Sequence, residues 1–255
     1  VAVLTKANGT TQKISSLKDG WAAAIANEGS TLTLLCDVDL SNGEETPLEA
    51  ASGRFTLDLA GFSIKGFTKK ALISVSGTAD ITIKNGNLTN TFRRGDESAQ
   101  LNEGEANAIN MYGGKVTLDD VAATGGSGYY EYWRQCYSVI VYGGELTVVD
   151  SSFTGAIVVL KNDDKNPKLK ITSATLHHGM MYGYTGSDRN ADAVKAFFAD
   201  GSMLFDSNGK YIDMTADDYW EIITGEGYSF VSFCYEGESI VKPHKHTVDD
   251  GAWTV

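Results

Sequence analysis

The chain repeats a short pattern in which one polar residue stands between two apolar residues. Such alternation is typical of a β-strand that buries one face, because successive side chains of a strand point to opposite sides. Five copies are present: Phe55-Thr56-Leu57, Ile81-Thr82-Ile83, Val116-Thr117-Leu118, Leu146-Thr147-Val148 and Leu169-Lys170-Ile171. We therefore expect equivalent strands in successive units of one repeated structure.

Each copy is followed by the same order of residue types. The position seven residues after the first is apolar in every copy: Phe62, Leu88, Ala123, Phe153 and Leu176. The position four residues after the first is mostly polar and predicts a turn; it holds Leu59, Asn85, Asp120, Asp150 and Ser173. Three copies are preceded by a further predicted strand, marked by Ile73 and Val75, Ile109 and Met111, and Val139 and Val141.

The spacing between the copies is unequal, because they begin at residues 55, 81, 116, 146 and 169. Unequal spacing with constant columns predicts a constant coil with loops inserted between its strands. Meanders and sandwiches also contain frequent short strands, but they do not predict equivalent columns of constant character. The pattern thus predicts an all-β fold, and within that class a right-handed parallel β-helix.

The first units resemble a known family. Residues 29–40, followed by residues 55–64, are similar to the opening coils of pectin-lyase-like β-helix domains, and Asp58-Leu59-Ala60-Gly61-Phe62-Ser63-Ile64 occupies the place of a common family motif. Ala60 stands where the family commonly has Asn, and Phe62 where it has a polar residue. The resemblance covers about residues 20 to 176 and implies a β-helix of the kind that many bacterial surface proteins carry. It says little about activity, because one fold hosts many functions.

Both ends of the repeat region carry other signals. Ser15 or Ser16 is predicted to cap a helix through residues 21–26, which ends before Gly29 and closes the first coil. The C-terminal pattern predicts a helix over 192–199, a hairpin of 203–206 and 210–213, a short helix over 217–223 and a strand over 228–233. We expect these elements to form a small α+β cap over the last coil; a separate subdomain is the alternative.

Four divisions of the chain follow from these patterns. They are residues 1–28 (N-terminal segment and capping helix), 29–190 (parallel β-helix), 191–241 (C-terminal cap or subdomain) and 242–255 (tail). The tail resembles a spacer that leads into further modules of a surface protein.

The chain is acidic, since 21 Lys and Arg stand against 33 Asp and Glu for a net charge of −12. Nucleic acids and anionic lipids are bound mainly through clustered cations, so we expect neither as a partner. No apolar run approaches the ~18 residues of a membrane span, so we expect no membrane insertion. The start at Val1, without Met or a leader, fits a processed chain.

The three cysteines cannot all pair with one another. Cys36, Cys136 and Cys234 each have apolar or aromatic neighbours and show no metal-ligand spacing. We therefore expect buried free thiols.

Three insertions follow equivalent coil positions, at residues 91–107, 125–135 and 177–190. If the coils stack in register, these insertions lie side by side on one flank, where a rigid scaffold commonly carries its binding residues. Aromatic rings can stack on the apolar face of a pyranose while neighbouring polar groups bind its hydroxyls. The predicted ligand-binding residues are Arg93, Arg94, Tyr129, Tyr130, Glu131, Tyr132, Trp133, Arg134, His178, Tyr182 and Tyr184. In the alternative interpretation, these rings fold back and cover an apolar surface of the coil.

No complete catalytic set is present. Lyases of the resembled family use an Asp cluster that holds calcium with an Arg or Lys base, and the related hydrolases use three Asp residues with Asn-Thr-Asp and Gly-His-Gly motifs. Asp119-Asp120 and His177-His178-Gly179 match these only partly, and Asp120 occupies the turn column. We therefore predict no catalytic residue, no cofactor and no metal.

Two short motifs have plainer interpretations. Arg94-Gly95-Asp96 spells the integrin tripeptide, but a three-residue match in a polar loop is usually due to chance. His244-Lys245-His246 offers two imidazoles without a third or fourth ligand, which predicts no tight metal site.

These observations predict an extracellular or wall-attached bacterial recognition domain that is a monomeric part of a larger surface protein. Its expected partner is a polysaccharide or a host surface glycan or protein. A polysaccharide lyase or glycoside hydrolase, with chemistry carried by Arg93, Arg94, Asp96, Glu131 or His178, is the second hypothesis. A structural spacer is the third.

Overall fold

The computed structural model describes residues 1–41, 47–92, 105–130, 133–161, 167–177, 180–184, 203–206, 211–212, 221–225, 228–233, 239–242, 248–249 and 252–253. Within these residues the chain is mostly β, with a single helix, α1 (Leu17–Ala26). Twenty-two strands join into one curled, mixed sheet. The all-β prediction is confirmed at this level.

The strands follow one another closely along the chain. Their bounds are β1 (Ala2–Thr5), β2 (Thr11–Ile14), β3 (Ser30–Leu34), β4 (Val38–Asp39), β5 (Leu48–Ala50), β6 (Arg54–Asp58), β7 (Ser63–Gly66), β8 (Ile73–Val75), β9 (Asp80–Asn90), β10 (Ile109–Thr124), β11 (Ser127–Tyr130), β12 (Trp133–Val149), β13 (Ser151–Phe153), β14 (Ala156–Lys161), β15 (Lys168–Ile171), β16 (Ala174–Leu176), β17 (Met180–Tyr184), β18 (Met203–Asp206), β19 (Tyr211–Ile212), β20 (Glu221–Gly225), β21 (Tyr228–Phe233), β22 (Ser239–Lys242), β23 (Val248–Asp249) and β24 (Ala252–Trp253).

Parallel strands form three rows that recur in the same order along the chain. Row 1 joins β3, β6, the start of β9, the middle of β10, the end of β12 and β15. Row 2 joins β4, β7, the end of β9, the end of β10, β13 and β16. Row 3 joins β5, β8, the start of β10, the middle of β12, β14 and β17. We call one pass through the three rows a repeat.

The five aligned copies of the sequence pattern pair in register in row 1. Phe55 is the partner of Ile81, which pairs with Val116, and Leu146 and Leu169 continue the series. Side chains of all three rows meet in one hydrophobic core. The repeat alignment is therefore confirmed for row 1, because period-two burial leaves few alternative registers once one face is apolar.

The predicted apolar column holds the wrong residue in one repeat, because Ile64 and not Phe62 is equivalent to Leu88. Leu88 pairs with Ile64, which is fully buried, whereas Phe62 is only partly buried. The turn at residues 59–61 is two residues longer than its counterparts, so the core position falls two residues later. Leu59 is buried, and both Ala60 (φ 51°) and Gly61 (φ 85°) have positive φ in this turn.

The polar turn column is otherwise confirmed, and its backbone explains its composition. Asn85, Asp120 and Asp150 have φ angles of 59°, 56° and 47°. Asn and Asp tolerate this left-handed region better than other non-glycine residues. These side chains therefore serve the same turn in successive repeats.

The N-terminal helix is confirmed and begins after Ser16. Asp19 N–H donates to Ser16 Oγ at 3.1 Å, and Ser16 Oγ donates to Asp19 Oδ2 at 2.8 Å. The buried face of α1 includes Trp21, whose ring meets Phe55 edge-on at a centroid distance of 5.0 Å. Trp21 Nε1 donates to Glu49 O at 2.8 Å, in the first strand of row 3. The helix thus satisfies a carbonyl group at the start of that row.

We expect Trp21→Phe to lower the free energy of unfolding by about 1 to 2 kcal/mol, because the ring volume is largely kept while Glu49 O loses its donor. Urea unfolding of the two proteins measures the difference. An unchanged midpoint with an unchanged slope would contradict a stabilising role for the indole N–H.

An N-terminal hairpin covers the start of row 1, and the sequence patterns do not predict it. β1 pairs antiparallel with β2 on one side and with β3 on the other. The hairpin pairs the first strand of row 1 and leaves β2 as the edge, a short strand on which Gln12 and Lys13 are exposed. Short edge strands with charged side chains are less prone to pair with another chain.

Antiparallel strands also follow the last repeat. β22 pairs with β16 at the end of row 2, and β21 pairs with β17 at the end of row 3. The predicted hairpin of β18 with β19 and the predicted strand β21 are confirmed. The helix predicted over 217–223 is wrong for Glu221–Ile223, since β20 pairs there with β21. β-branched Ile222 and Ile223 suit a strand, and pairing across the sheet overrides a short helical pattern. The helix predicted over 192–199 lies outside the described residues.

Two further findings concern the cysteines and the membrane. Cys36 is exposed, so the expected burial of this thiol is wrong; it lies two residues beyond the end of β3, where the inward alternation of Leu32 and Leu34 has stopped. The side chains of Cys136 and Cys234 lie outside what the structure describes.

No helix among the described residues is long and apolar enough to cross a membrane.

Candidate functional site

The insertions leave the sheet at one common place, between a row 2 strand and the following row 3 strand. Ala106 N–H donates to Lys69 O at 2.6 Å, and Gly126 N–H donates to Ala106 O at 2.7 Å. Ala108 N–H continues the series to Ser138 O at 3.0 Å. The described ends of the first two insertions are therefore neighbours. We call this strip the insertion flank; it comprises residues 66–71, 91–92, 105–108, 125–126, 137–138 and 154–156.

A buried amide fixes the first part of the insertion flank. Asn90 is 1% exposed, and its Nδ2 donates to Thr68 O at 3.0 Å, Lys70 O at 2.9 Å and Asn107 O at 3.3 Å. Its Oδ1 accepts from Thr68 N at 3.4 Å and from Phe92 N at 3.2 Å. One side chain thus holds both ends of the first insertion and the turn of the preceding repeat.

One repeat later, a buried hydroxyl group also joins separate segments of the insertion flank. Ser138 is fully buried; its Oγ donates to Ala123 O at 2.9 Å and accepts from Gly155 N at 2.8 Å. Ser138 therefore joins the end of one row 2 strand to the turn that follows the next. Networks whose members are all satisfied rigidify their surroundings, so the insertions start from a fixed base.

The described surface of the insertion flank carries an aromatic pair. Phe67 is 52% exposed, and its ring centroid lies 5.4 Å from that of the partly buried Phe92, at an interplanar angle of 48°. Two residues after Phe67, Lys69 forms an ion pair in which its Nζ lies 2.8 Å from Glu105 Oε1. Aromatic rings near charged side chains can bind a ligand with both apolar and hydroxyl-bearing faces.

Phe67 is absent from the residues predicted from sequence. It lies in a repeat without an insertion, so composition of the loops gave no reason to choose it. Its position directly after the row 2 strand β7, equivalent to the point where the insertions begin, is the signal that could have identified it.

The structure describes some of the predicted ligand-binding residues only as backbone. Tyr129 pairs with Arg134 and Tyr130 with Trp133, so the second insertion is an antiparallel hairpin of β11 with the start of β12. The residues of the set that lie outside the described chain are Arg93, Arg94, Glu131, Tyr132 and His178.

The third insertion is shorter than predicted. Met180–Tyr184 form β17, a row 3 strand, so the expectation of a loop over 177–190 is wrong for these residues. Tyr182 takes the register position of Val159 and Val141, which are core residues, and Tyr184 pairs with Lys161. Residues 180–184 form a strand because β14 offers them a paired edge in row 3, and the local sequence does not reveal this pairing.

Part of the outer surface of row 3 is apolar and covered. Ile140, Ala156 and Val158 form a second buried cluster, separate from the core that contains Val139 and Val141. Tyr137, Tyr142 and Leu160 pack against this cluster. The Tyr142 ring also stacks on Tyr112, with centroids 4.9 Å apart and planes 4° from parallel. Rings outside the predicted set therefore cover an apolar surface of row 3.

Threonines are aligned across neighbouring strands on the outer face of row 1. Seven lie in register across seven strands: Thr11, Thr5, Thr31, Thr56, Thr82, Thr117 and Thr147. A neighbouring file alternates in charge: Arg54, Asp80, Lys115, Glu145 and Lys168. Thr pairs and opposite charges across strands stabilise a sheet, which accounts for both files.

The acidic turn column does not form a metal site in the described part of the chain. Asn85, Asp120 and Asp150 line an open groove between rows 1 and 2. No group of three or more His, Cys, Asp or Glu side chains among the described residues could hold a metal ion. Turn geometry accounts for this column.

No protein-family model matches the chain, and no curated protein or solved structure matches it significantly.

Proposed function

We propose that this chain is a secreted or cell-surface recognition domain that binds a polysaccharide or a surface glycan along the insertion flank. In this proposal the three rows are the faces of a right-handed parallel β-helix, similar to the pectin-lyase-like domains of bacterial surface proteins. The parallel in-register rows support the β-helix, and the right hand is the one that nearly all parallel crossovers adopt. The domain is monomeric and belongs to a larger extracellular or wall-attached protein.

The observation that carries the binding proposal is the exposed ring of Phe67, which packs against the partly buried Phe92 at the base of the insertions. Phe67 is 52% exposed, although the residues on either side of it, Gly66 and Thr68, are buried. A sugar ring placed on Phe67 removes this apolar surface from water. The Lys69–Glu105 pair supplies donors and acceptors for hydroxyl groups.

We expect Phe67→Ala to weaken glycan binding about tenfold, which corresponds to about 1.4 kcal/mol and lies within the usual contribution of an aromatic contact. The measurement is titration calorimetry with the polysaccharides that score in a glycan array. Leu35→Ala is the matched control, because Leu35 is 54% exposed but lies beside Val1, outside the insertion flank.

Equal affinities of the two variants would contradict the assignment of the site to Phe67. The absence of saturable binding to any glycan would contradict the proposed function itself. The same samples distinguish the other two hypotheses, because turnover of pectin, alginate or host glycans identifies an enzyme, whereas neither binding nor turnover identifies a spacer.

A further inference from the structure

Two Asn-Gly pairs of the described chain lie in opposite surroundings. The sequence contains four such pairs, of which those at 42–43 and 208–209 lie outside the described residues. The other two are Asn8-Gly9, in the turn between β1 and β2, and Asn85-Gly86, within β9. Glycine after asparagine leaves the following backbone nitrogen sterically open to the asparagine side chain.

Asn8-Gly9 occupies an exposed hairpin turn. Residues 7–10 are exposed, and a β-carbon at Gly9 would have no neighbour within 4 Å. Thr10 N–H donates to Asn8 Oδ1 at 3.0 Å. The turn is closed by Gly9 N–H donating to Lys6 O and by Lys6 N–H donating to Thr10 O, both at 2.8 Å.

Asn85-Gly86 is held between repeats. Asn85 Nδ2 donates to Asp58 Oδ1 at 3.1 Å, and Gly61 N–H donates to Asn85 O at 2.7 Å. Gly86 pairs with Val121 of the next repeat, and a β-carbon at Gly86 would lie 2.6 Å from Leu59 Cβ. Neither residue of the pair can move without separating repeats.

We propose that Asn8 is a site of spontaneous deamidation in the folded protein and that Asn85 is protected from it. The backbone nitrogen of Gly9 loses its proton to hydroxide and attacks Asn8 Cγ. The new N–Cγ bond closes a five-membered succinimide, the Cγ–Nδ2 bond breaks, and Nδ2 leaves as ammonia after taking a proton from water. Water then opens the ring at either carbonyl and leaves aspartate or isoaspartate, with no change of oxidation state.

The hairpin geometry assists one part of this step and opposes another. Thr10 N–H already donates to Asn8 Oδ1, the oxygen on which negative charge develops as Cγ becomes tetrahedral. Gly9 N–H must first leave Lys6 O, but opening one bond in an exposed turn costs little compared with opening a paired strand. At Asn85 the same attack requires the strand to leave both of its neighbours.

The product alters the strand that covers row 1. An isoaspartyl linkage at residue 8 passes the main chain through the former side chain, which lengthens the turn by one atom and adds a negative charge. Because β1 lies between β2 and β3, the change acts on the hairpin that shields the start of row 1.

The experiment is incubation of the folded full chain in mildly alkaline buffer, followed by peptide mapping with mass spectrometry. Trypsin releases residues 7–13, with Asn8 as their single asparagine, and residues 85–93, in which fragment spectra separate Asn85 from Asn87 and Asn90. We expect Asn8 to deamidate at least about a hundredfold faster than Asn85, where each tenfold corresponds to about 1.4 kcal/mol of additional opening free energy. The rate at Asn8 rises with pH, because the attacking nitrogen must lose a proton.

Two controls complete the test. In denaturant both sites are open, so Asn8 and Asn85 should deamidate at similar rates. Asn8→Gln should abolish the product in residues 7–13, because the longer side chain closes a ring much more slowly. Equal rates at the two sites in the folded chain, or no change at Asn8 during an incubation that converts it in denaturant, would overturn the proposal.

Discussion

We expect Gly144→Ala to lower the free energy of unfolding by about 3 to 5 kcal/mol. Gly144 has a φ of 89°, a region in which a β-carbon costs about 1 to 2 kcal/mol. The new β-carbon would also contact Gly114 O of the preceding repeat and lie 2.6 Å from Gly113 C. Since these are backbone atoms of a paired strand, relief of the contact requires two repeats to move apart.

Gly9→Ala is the matched control for this prediction. Gly9 has a similar φ of 83°, but no atom lies within 4 Å of the position that its β-carbon would occupy. The control should therefore lose only the conformational cost of about 1 to 2 kcal/mol. Guanidinium unfolding of both variants measures the difference, and equal losses would mean that repeats do not approach one another at Gly144 as the structure has them.

Asn90→Ala should lower the free energy of unfolding by about 3 kcal/mol or more, because each buried polar group left without a partner costs about 1 to 3 kcal/mol. The substitution removes the donor for Thr68 O, Lys70 O and Asn107 O. It also removes the acceptor for two backbone N–H groups, those of Thr68 and Phe92. Water entering the space can restore only part of this set.

Asn87→Ala, in the same strand, provides the comparison. Asn87 is partly buried, and its Nδ2 donates to Ser63 Oγ at 3.3 Å. We expect a loss of at most about 1 kcal/mol, as for a single ordinary hydrogen bond. Urea denaturation followed by circular dichroism gives both values; a similar loss for the two variants would contradict the role of Asn90 as the anchor of the insertion flank.

The row 1 register was predictable because alternation and turn chemistry are local properties. Val116 and Leu146 occupy equivalent positions in strands of the same polarity, and Asp120 and Asp150 follow at the same distance. A shift by one residue would turn the apolar side chains toward solvent, so the pattern itself excludes other registers.

Other elements were not predictable, because their conformation depends on neighbours distant in sequence. β17 forms because β14 offers a paired edge, and β20 forms against β21 in spite of a helical pattern. The β1–β2 hairpin pairs antiparallel and carries no copy of the repeat alignment, so the columns could not identify it. The longer turn that places Ile64 rather than Phe62 in the core is visible only from the pairing with Leu88.

The candidate site, too, was predictable from the sequence only in part. The sequence alone located the insertions after the row 2 strands, because the hydrophobic periodicity of the chain stops at those points. Packing across repeats was needed to bring Lys69, Ala106 and Gly126 into one hydrogen-bonded strip and to expose Phe67 beside it. Alternation of side chains is written into each strand, whereas contact between segments tens of residues apart arises only when the strands pair.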